Sequence, residues 1–309
     1  MGDAGMGDAG MTEQAREGYP DATGLLERSA AAFVGGVPDH GPDDGFFGPA
    51  SVTWRTAADA STPVAGLRAL MIQALHPLAM AGVEQHSQWR QDPVGRLAAT
   101  SGYLATVSFG SRADAERVAA RVRRIHVHVT GVDEVTGQRY EASDPALLLW
   151  VHAALVDSTL VARELFGVPL TGQDADAYVA EMVTAAELVG VPRDQVPDTA
   201  AALVGYLDSV RPVLVASPAA RESVGYLLDP PGLDADLAEI WQDIRAGVIG
   251  SLPDWARAMY DFPDEPLTPD RRTEISQALG VLDAVFLGQP GVLEARQRIA
   301  ARVRAARRA

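Results

Sequence analysis

No cysteine occurs in this chain of 309 residues. That removes thiolate nucleophiles, disulfides, iron–sulfur clusters and a cysteine-ligated haem. A reducing compartment is consistent with this, and cytoplasmic placement is the default expectation. Lysine is absent as well, so all 26 basic residues are arginine and a Schiff-base lysine is excluded. Net positive charge is lacking too: the formal charge is −15, which repels phosphate backbones and anionic lipid, so neither a nucleic acid nor a membrane is an expected partner. The start has no basic, then apolar, secretion pattern, and apolar stretches such as 146–156 read as too short to cross a bilayer. There is no G-x-S-x-G elbow, no P-loop, no H-E-x-x-H, no Rossmann glycine pattern and no Glu-x-x-His pair of a di-iron bundle. Whatever chemistry the chain performs is assembled from residues scattered along it.

What remains is a helix-rich composition. Hydrophobic residues make up 47% of the chain, enough for a sizeable core. Apolar residues recur three or four apart between Pro and Gly breaks, which predicts helices over roughly 23–34, 64–75, 93–109, 111–130, 144–166, 172–190, 199–210, 217–228, 234–248, 268–287 and 291–307. Asp144-Pro145, Thr171 and Asp198 read as helix starts, and Gly110, Gly131, Gly167, Gly190 and Gly288 as ends. Thr136-Gly137 between two extended pieces predicts a hairpin within 132–143. The expected architecture is all-α: a low-complexity tail over 1–20, where MGDAG repeats, and a single helical domain over 21–309. Residues 260–270 are the most loop-like internal segment.

With cysteine and lysine gone, the six histidines are the residues to weigh. His40 lies in a Gly/Pro/Asp-rich loop and receives no role. In Arg124-Ile125-His126-Val127-His128, a helical phase aligns His128 with Arg117, Arg121 and Arg124, and His126 with Ala115, Ala119 and Val122. His126 is therefore expected inside and His128 outside. A core histidine bonded to a carbonyl is the competing reading for His126. His152 sits in Leu147–Val156, apolar nearly all round, and a buried imidazole there needs a partner: iron, a haem carboxylate, or a side chain such as Asp157 or Ser158. His76 precedes Pro77 and marks a helix end or kink that could line a pocket. His86, with Glu84, faces either a pocket or water.

Several stretches, in order, resemble one family: Leu67–Pro77 (LRALMIQALHP), Gly82–Ser87 (GVEQHS), Asp92–Thr100 (DPVGRLAAT), Phe109-Gly110, Arg124-Ile125-His126, Tyr140–Pro145 (YEASDP) and Trp150–Ala153 (WVHA). They resemble the rubber-oxygenase catalytic-domain family, which includes latex-clearing proteins and the oxygenase of mycophenolic acid biosynthesis, over roughly 50–290. The resemblance implies a globin-like or wider helical fold that binds haem b, with the iron on the histidine matching His126. Its distal arginine and threonine match Arg96 and Thr100, while Ala99 stands where those relatives carry a lysine, so the resemblance does not extend to rubber cleavage. The reading it implies is a haem b-dependent oxygenase or oxidoreductase acting on a small apolar molecule with O2. His126 would be the axial ligand, Arg96 would pair with a haem carboxylate, His152 would bond a haem carboxylate or orient the iron ligand, His76 would line the cofactor, and Glu84, His86 and Thr100 would be catalytic candidates on the distal side. A haem carrier or gas sensor, and a cofactor-free helical binding protein, are the alternatives; a homodimer is an open assembly state.

Overall fold

The computed structural model describes residues 22, 24–37, 43–264 and 267–308. The expected tail over 1–20 and His40 lie outside the described residues. The described residues form fourteen α-helices and one small hairpin: α1 (Leu25–Gly36), α2 (Val52–Ala57), α3 (Thr62–Ala74), α4 (Pro77–His86), α5 (Pro93–Phe109), α6 (Arg112–His126), β1 (Thr130–Val132), β2 (Arg139–Glu141), α7 (Pro145–Phe166), α8 (Gly172–Val189), α9 (Ala200–Val210), α10 (Pro218–Leu228), α11 (Ala235–Ser251), α12 (Asp254–Met259), α13 (Pro269–Leu287) and α14 (Val292–Ala306). The fold is all-α, as composition and periodicity predict.

The capping chemistry explains why most boundaries fall where they do. Asp92, Ser111, Asp144, Thr171, Ser217, Asp234 and Thr268 each accept a backbone N–H of the first helical turn. Pro93, Pro145, Pro218 and Pro269 stand at the first helical position, where a missing N–H costs nothing. Thr199, not Asp198, caps α9. Gly110, Gly167, Gly190 and Gly288 are helix C-caps, Gly190 at φ 114°.

Gly131 is not a helix end. The helix expected over 111–130 stops at His126, because the β-branched alternation from Val127 to Val132 favours extended chain, and Gly131 sits inside β1 opposite Tyr140. A side chain at 131 would meet Gln85 Oε1 at 2.6 Å and the Tyr140 hydroxyl at 2.7 Å, so glycine serves close approach here rather than a turn. Gly131→Ala is expected to destabilise the protein by about 1–3 kcal/mol through that overlap, read as a lowered thermal midpoint.

Three short helices escaped the periodicity: α2, α4 and α12, of six, ten and six residues. The α2 N-terminus is capped from far along the chain: Glu181 on α8 accepts the N–H groups of Val52 (3.1 Å) and Thr53 (2.8 Å).

Helix α7 runs through the centre, packed on α3 along its length and on α8 and α9. Trp150, Ala153, Ala154, Val156 and Ala162 of α7 meet Val64, Met71 and Ile72 of α3 in the largest apolar cluster. A second cluster joins Trp54, Ala105 and Phe109 to Ala295 and Ile299 of α14, so the last helix packs back on the domain. Arg68 of α3, 2% exposed, places a charge in this centre. Its guanidinium donates to Asp157 Oδ2 (2.7 Å), Ser158 Oγ (2.8 Å) and the Ser251 carbonyl (3.0 Å), tying α3, α7 and α11.

The length expectation for apolar stretches needs correcting at α7. Its 22 residues include a window of mean hydropathy 1.6, long and apolar enough by length and composition to cross a membrane. Just over half of that window (56%) is buried against the rest of the fold, which accounts for its apolarity as a central helix.

Candidate functional site

The site begins where α6 ends. Its amphipathic register leaves Arg117, Arg121 and Arg124 exposed and buries Ala115 and Ala119. His126, the last helical residue, is half-buried rather than fully inside; its Nδ1 is sealed from solvent without a hydrogen-bond partner. Burial, and then the charge of Arg96, pushes the imidazole below its ordinary pKa. His128 is exposed as expected, although it lies in the turn beyond the helix.

Arg96 projects from α5. It donates to Ser87 Oγ (2.8 Å) at the end of α4, and no carboxylate pairs with it among the described residues. Burial pushes its guanidinium below the ordinary arginine value, yet the side chain keeps open surface. One and two turns further along the same face stand Thr100 and Tyr103. Thr100 Oγ1 donates back to the Arg96 carbonyl (3.0 Å), and Tyr103 packs against the main core. Burial raises the Tyr103 phenol to about 12. Tyr103 was not singled out from the sequence, where a Tyr in an Ala-rich helix carries no motif; its place one turn beyond Thr100 was the available signal.

His152 lies on α7 two residues after the fully buried Trp150. Asp157 and Ser158, its expected side-chain partners, are both committed to Arg68. The His152 ring has no hydrogen bond among the described residues, and burial pushes it down to about 4. His76, the N-terminal neighbour of α4, has its Nδ1 sealed and without a partner, and its ring centroid lies 6.0 Å from that of Trp150. Burial lowers its pKa against the opposing pull of Asp144 and Asp133.

His76, Arg96, Tyr103, His126 and His152 thus share one physical signature. Each keeps accessible surface, yet desolvation is the first cause of its shift. Among them, Arg96 is near enough to His126 for its charge to act on the imidazole. The three imidazoles, held neutral by burial, offer lone pairs at neutral pH.

Glu84 and His86 are engaged elsewhere. Glu84 pairs with Arg90 (2.7 Å), which also pairs with Glu222 (2.6 Å), and accepts from Trp89 Nε1 (3.3 Å). His86 Nε2 donates to the Thr130 carbonyl (3.0 Å) with its ring edge-on to Tyr140, while Gln85 Nε2 donates to the Val132 carbonyl (2.9 Å). These contacts fix the hairpin to α4 and leave nothing in their geometry that points to a distal catalytic role. Among the described residues no group of three or more His, Asp or Glu converges on a point that could hold a bare metal ion.

No curated protein and no solved structure matches the chain. A family model does: the one described as ER-bound oxygenase mpaB/B'/Rubber oxygenase, catalytic domain, matches residues 54–285. That span runs from α2 into α13 and contains every site residue named above, so the chain belongs to the mpaB/rubber oxygenase catalytic-domain family.

Proposed function

We propose that the chain is a haem b-dependent oxygenase in which His126 ligates the iron, acting with O2 on a small, largely apolar organic substrate. The observation that carries the reading is a neutral, hydrogen-bond-free His126 ring within reach of the carboxylate-free cation of Arg96, in a family of oxygenases. The residues fit the group: an imidazole with an unbonded nitrogen suits a haem iron, and an unpaired guanidinium suits a haem carboxylate. Bound there, haem would supply the redox chemistry with oxygen.

The chain's own residues do the rest. Arg96 anchors the anionic edge of the cofactor and holds the end of α4 through Ser87. Thr100 presents a hydroxyl one turn away, its proton directed at the Arg96 carbonyl in the resting arrangement, leaving the oxygen free to accept. His126 stays unprotonated at neutral pH because burial and the Arg96 charge both oppose a proton. Beside His76 stands Trp150, within the apolar packing of α3 and α7, a setting that suits a substrate of low polarity.

One observation favours a second assignment within the same function: His152 is the more strongly desolvated imidazole and is also without a hydrogen bond. The purified protein is expected to show a Soret band, and His126→Ala to lose most of it while far-ultraviolet circular dichroism stays helical. Loss in His152→Ala with a normal spectrum in His126→Ala would exchange the two roles. A protein that stays colourless after addition of haemin would overturn the function.

A further inference from the structure

Of the eleven large hydrophobic side chains exposed among the described residues, four fall within residues 125–135: Ile125 (52% exposed), Val127 (61%), Val132 (45%) and Val135 (51%). The charge around them is equally uneven. From 117 to 132 the chain carries four arginines and no Asp or Glu, in a protein of net charge −15. Two of the four are engaged: Arg117 pairs with Asp114, and Arg123 donates to the Leu188 carbonyl at the end of α8. Arg121 and Arg124 are exposed and have no hydrogen bond or ion pair from their side chains among the described residues. Val127 keeps right-handed helical angles (φ −58°, ψ −27°), so the phase of α6 runs on past His126 and puts Arg121, Arg124, Ile125 and the exposed His128 on one face. In the hairpin, Val132 stands opposite Arg139, on the side away from Tyr140, which is buried with Ala81 of α4. Carboxylates resume at Glu116 and Asp133. Asp133 is buried in the hairpin turn, where it accepts from Thr136, while Glu116, Glu134 and Glu141 are exposed.

We propose that the end of α6 and the outer side of the hairpin form a docking surface for an anionic lipid membrane. Ile125, Val127, Val132 and Val135 enter the headgroup region, and Arg121 and Arg124 meet the lipid phosphates. A single exposed valine needs no explanation, but a cluster does. Aliphatic side chains that no part of the fold covers, set beside cations that no carboxylate answers, match a surface both apolar and anionic, which is what acyl chains beneath phosphate headgroups offer. A second copy of the chain fits less well: a two-fold contact through this face would set the arginines of both copies against each other. A nucleic acid would leave the valines and Ile125 without an apolar partner. The net charge of −15 opposes attraction of the whole molecule to anionic lipid, so this patch both carries the contact and orients it. Ile125 and Val127 flank His126 in the chain, so the docked face lies beside the residue proposed to hold the iron. The docking itself does not rest on that reading.

Co-sedimentation of the full-length protein with vesicles, without added haemin, tests this. Vesicles of phosphatidylcholine containing about one third phosphatidylglycerol are expected to retain the protein, and those of phosphatidylcholine alone to retain it at least about tenfold less. Arg121→Gln/Arg124→Gln should lower partition to the anionic vesicles about twentyfold, since each arginine near such a surface is worth about a factor of five. Val127→Gln/Val135→Gln removes apolar contact without adding charge and should lower partition about tenfold. All four side chains are exposed, so the thermal midpoints should stay where they are, and a variant that keeps its midpoint reports on docking alone. No retention on the anionic vesicles, or retention unchanged in either double variant, overturns the docking surface. A dimer that Val127→Gln/Val135→Gln dissociates, in a protein that ignores vesicles, gives the face to a second copy; binding to duplex DNA in place of vesicles gives it to a nucleic acid. Either result also overturns the proposal.

Discussion

Arg68→Met is expected to cost about 3–5 kcal/mol of folding stability. The substitution keeps the volume and the unbranched shape but removes the charge. Asp157, whose side chain is 16% exposed, then loses the partner it holds at 2.7 Å, and Ser158 Oγ and the Ser251 carbonyl lose their donor. An ionised carboxylate left unpaired in a desolvated setting is the main penalty; the two neutral hydrogen bonds add about 1 kcal/mol each at most. Urea unfolding at neutral pH measures the loss. The double variant Arg68→Met/Asp157→Leu separates pairing from packing: removing both charges should restore most of the stability, because the burial cost of the pair vanishes with it. A single-variant loss below about 1 kcal/mol would mean that the guanidinium does not brace α3, α7 and α11.

The second large effect is on pH dependence. Stability of the ligand-free protein should fall by about 3 kcal/mol between pH 6.5 and 4 from His152 alone. The sign follows from the direction of the shift. In the unfolded chain the imidazole takes up its proton near pH 6.5, while in the fold burial holds its pKa down to about 4. Within that window the unfolded state binds more protons, so acid drives unfolding; above 6.5 the contribution is complete, and below 4 the loss levels off. His76 and His126 shift in the same direction and steepen the decline. His152→Leu should flatten the curve by about the stated amount when unfolding is measured at pH 7 and pH 4.5. An unchanged slope would place His152 in contact with bulk water.

The extent to which this fold could be read in advance follows the physics of each element. Long helices with side-chain caps, such as α5, α7, α8 and α13, announce both ends, since Asp92, Asp144, Thr171 and Thr268 answer to local chemistry. Helices α2 and α12 hold six residues each, less than two turns, and no periodicity can show in so short a window. Helix α4 has ten residues but is buried at Met80, Ala81 and Gly82, a run with no helical spacing, and His76-Pro77 disguises its start as a kink. Of the site, His126, His152 and Arg96 were visible as chemically scarce or family-matched residues. The occupations of Glu84 and His86 were not, because they depend on Arg90, Glu222 and the hairpin arriving from elsewhere in the chain. Tyr103 left one signal, its place one turn beyond Thr100; that its hydroxyl has no hydrogen bond among the described residues is a property of the assembled surroundings.

The hairpin's attachment to α4 acts on His126 as a splint acts on a joint. Helix ends fray, and His126 is the final residue of α6. Yet only three residues separate it from Thr130, whose carbonyl is held by His86, and Val132 is held by Gln85 two residues later. The last turn of α6 is thereby clamped from its far side, and the imidazole's aim becomes a property of the α4–hairpin seam. Sequence changes at Gln85, His86 or Tyr140, none of which need touch a ligand, would be felt at His126 as lost angular precision.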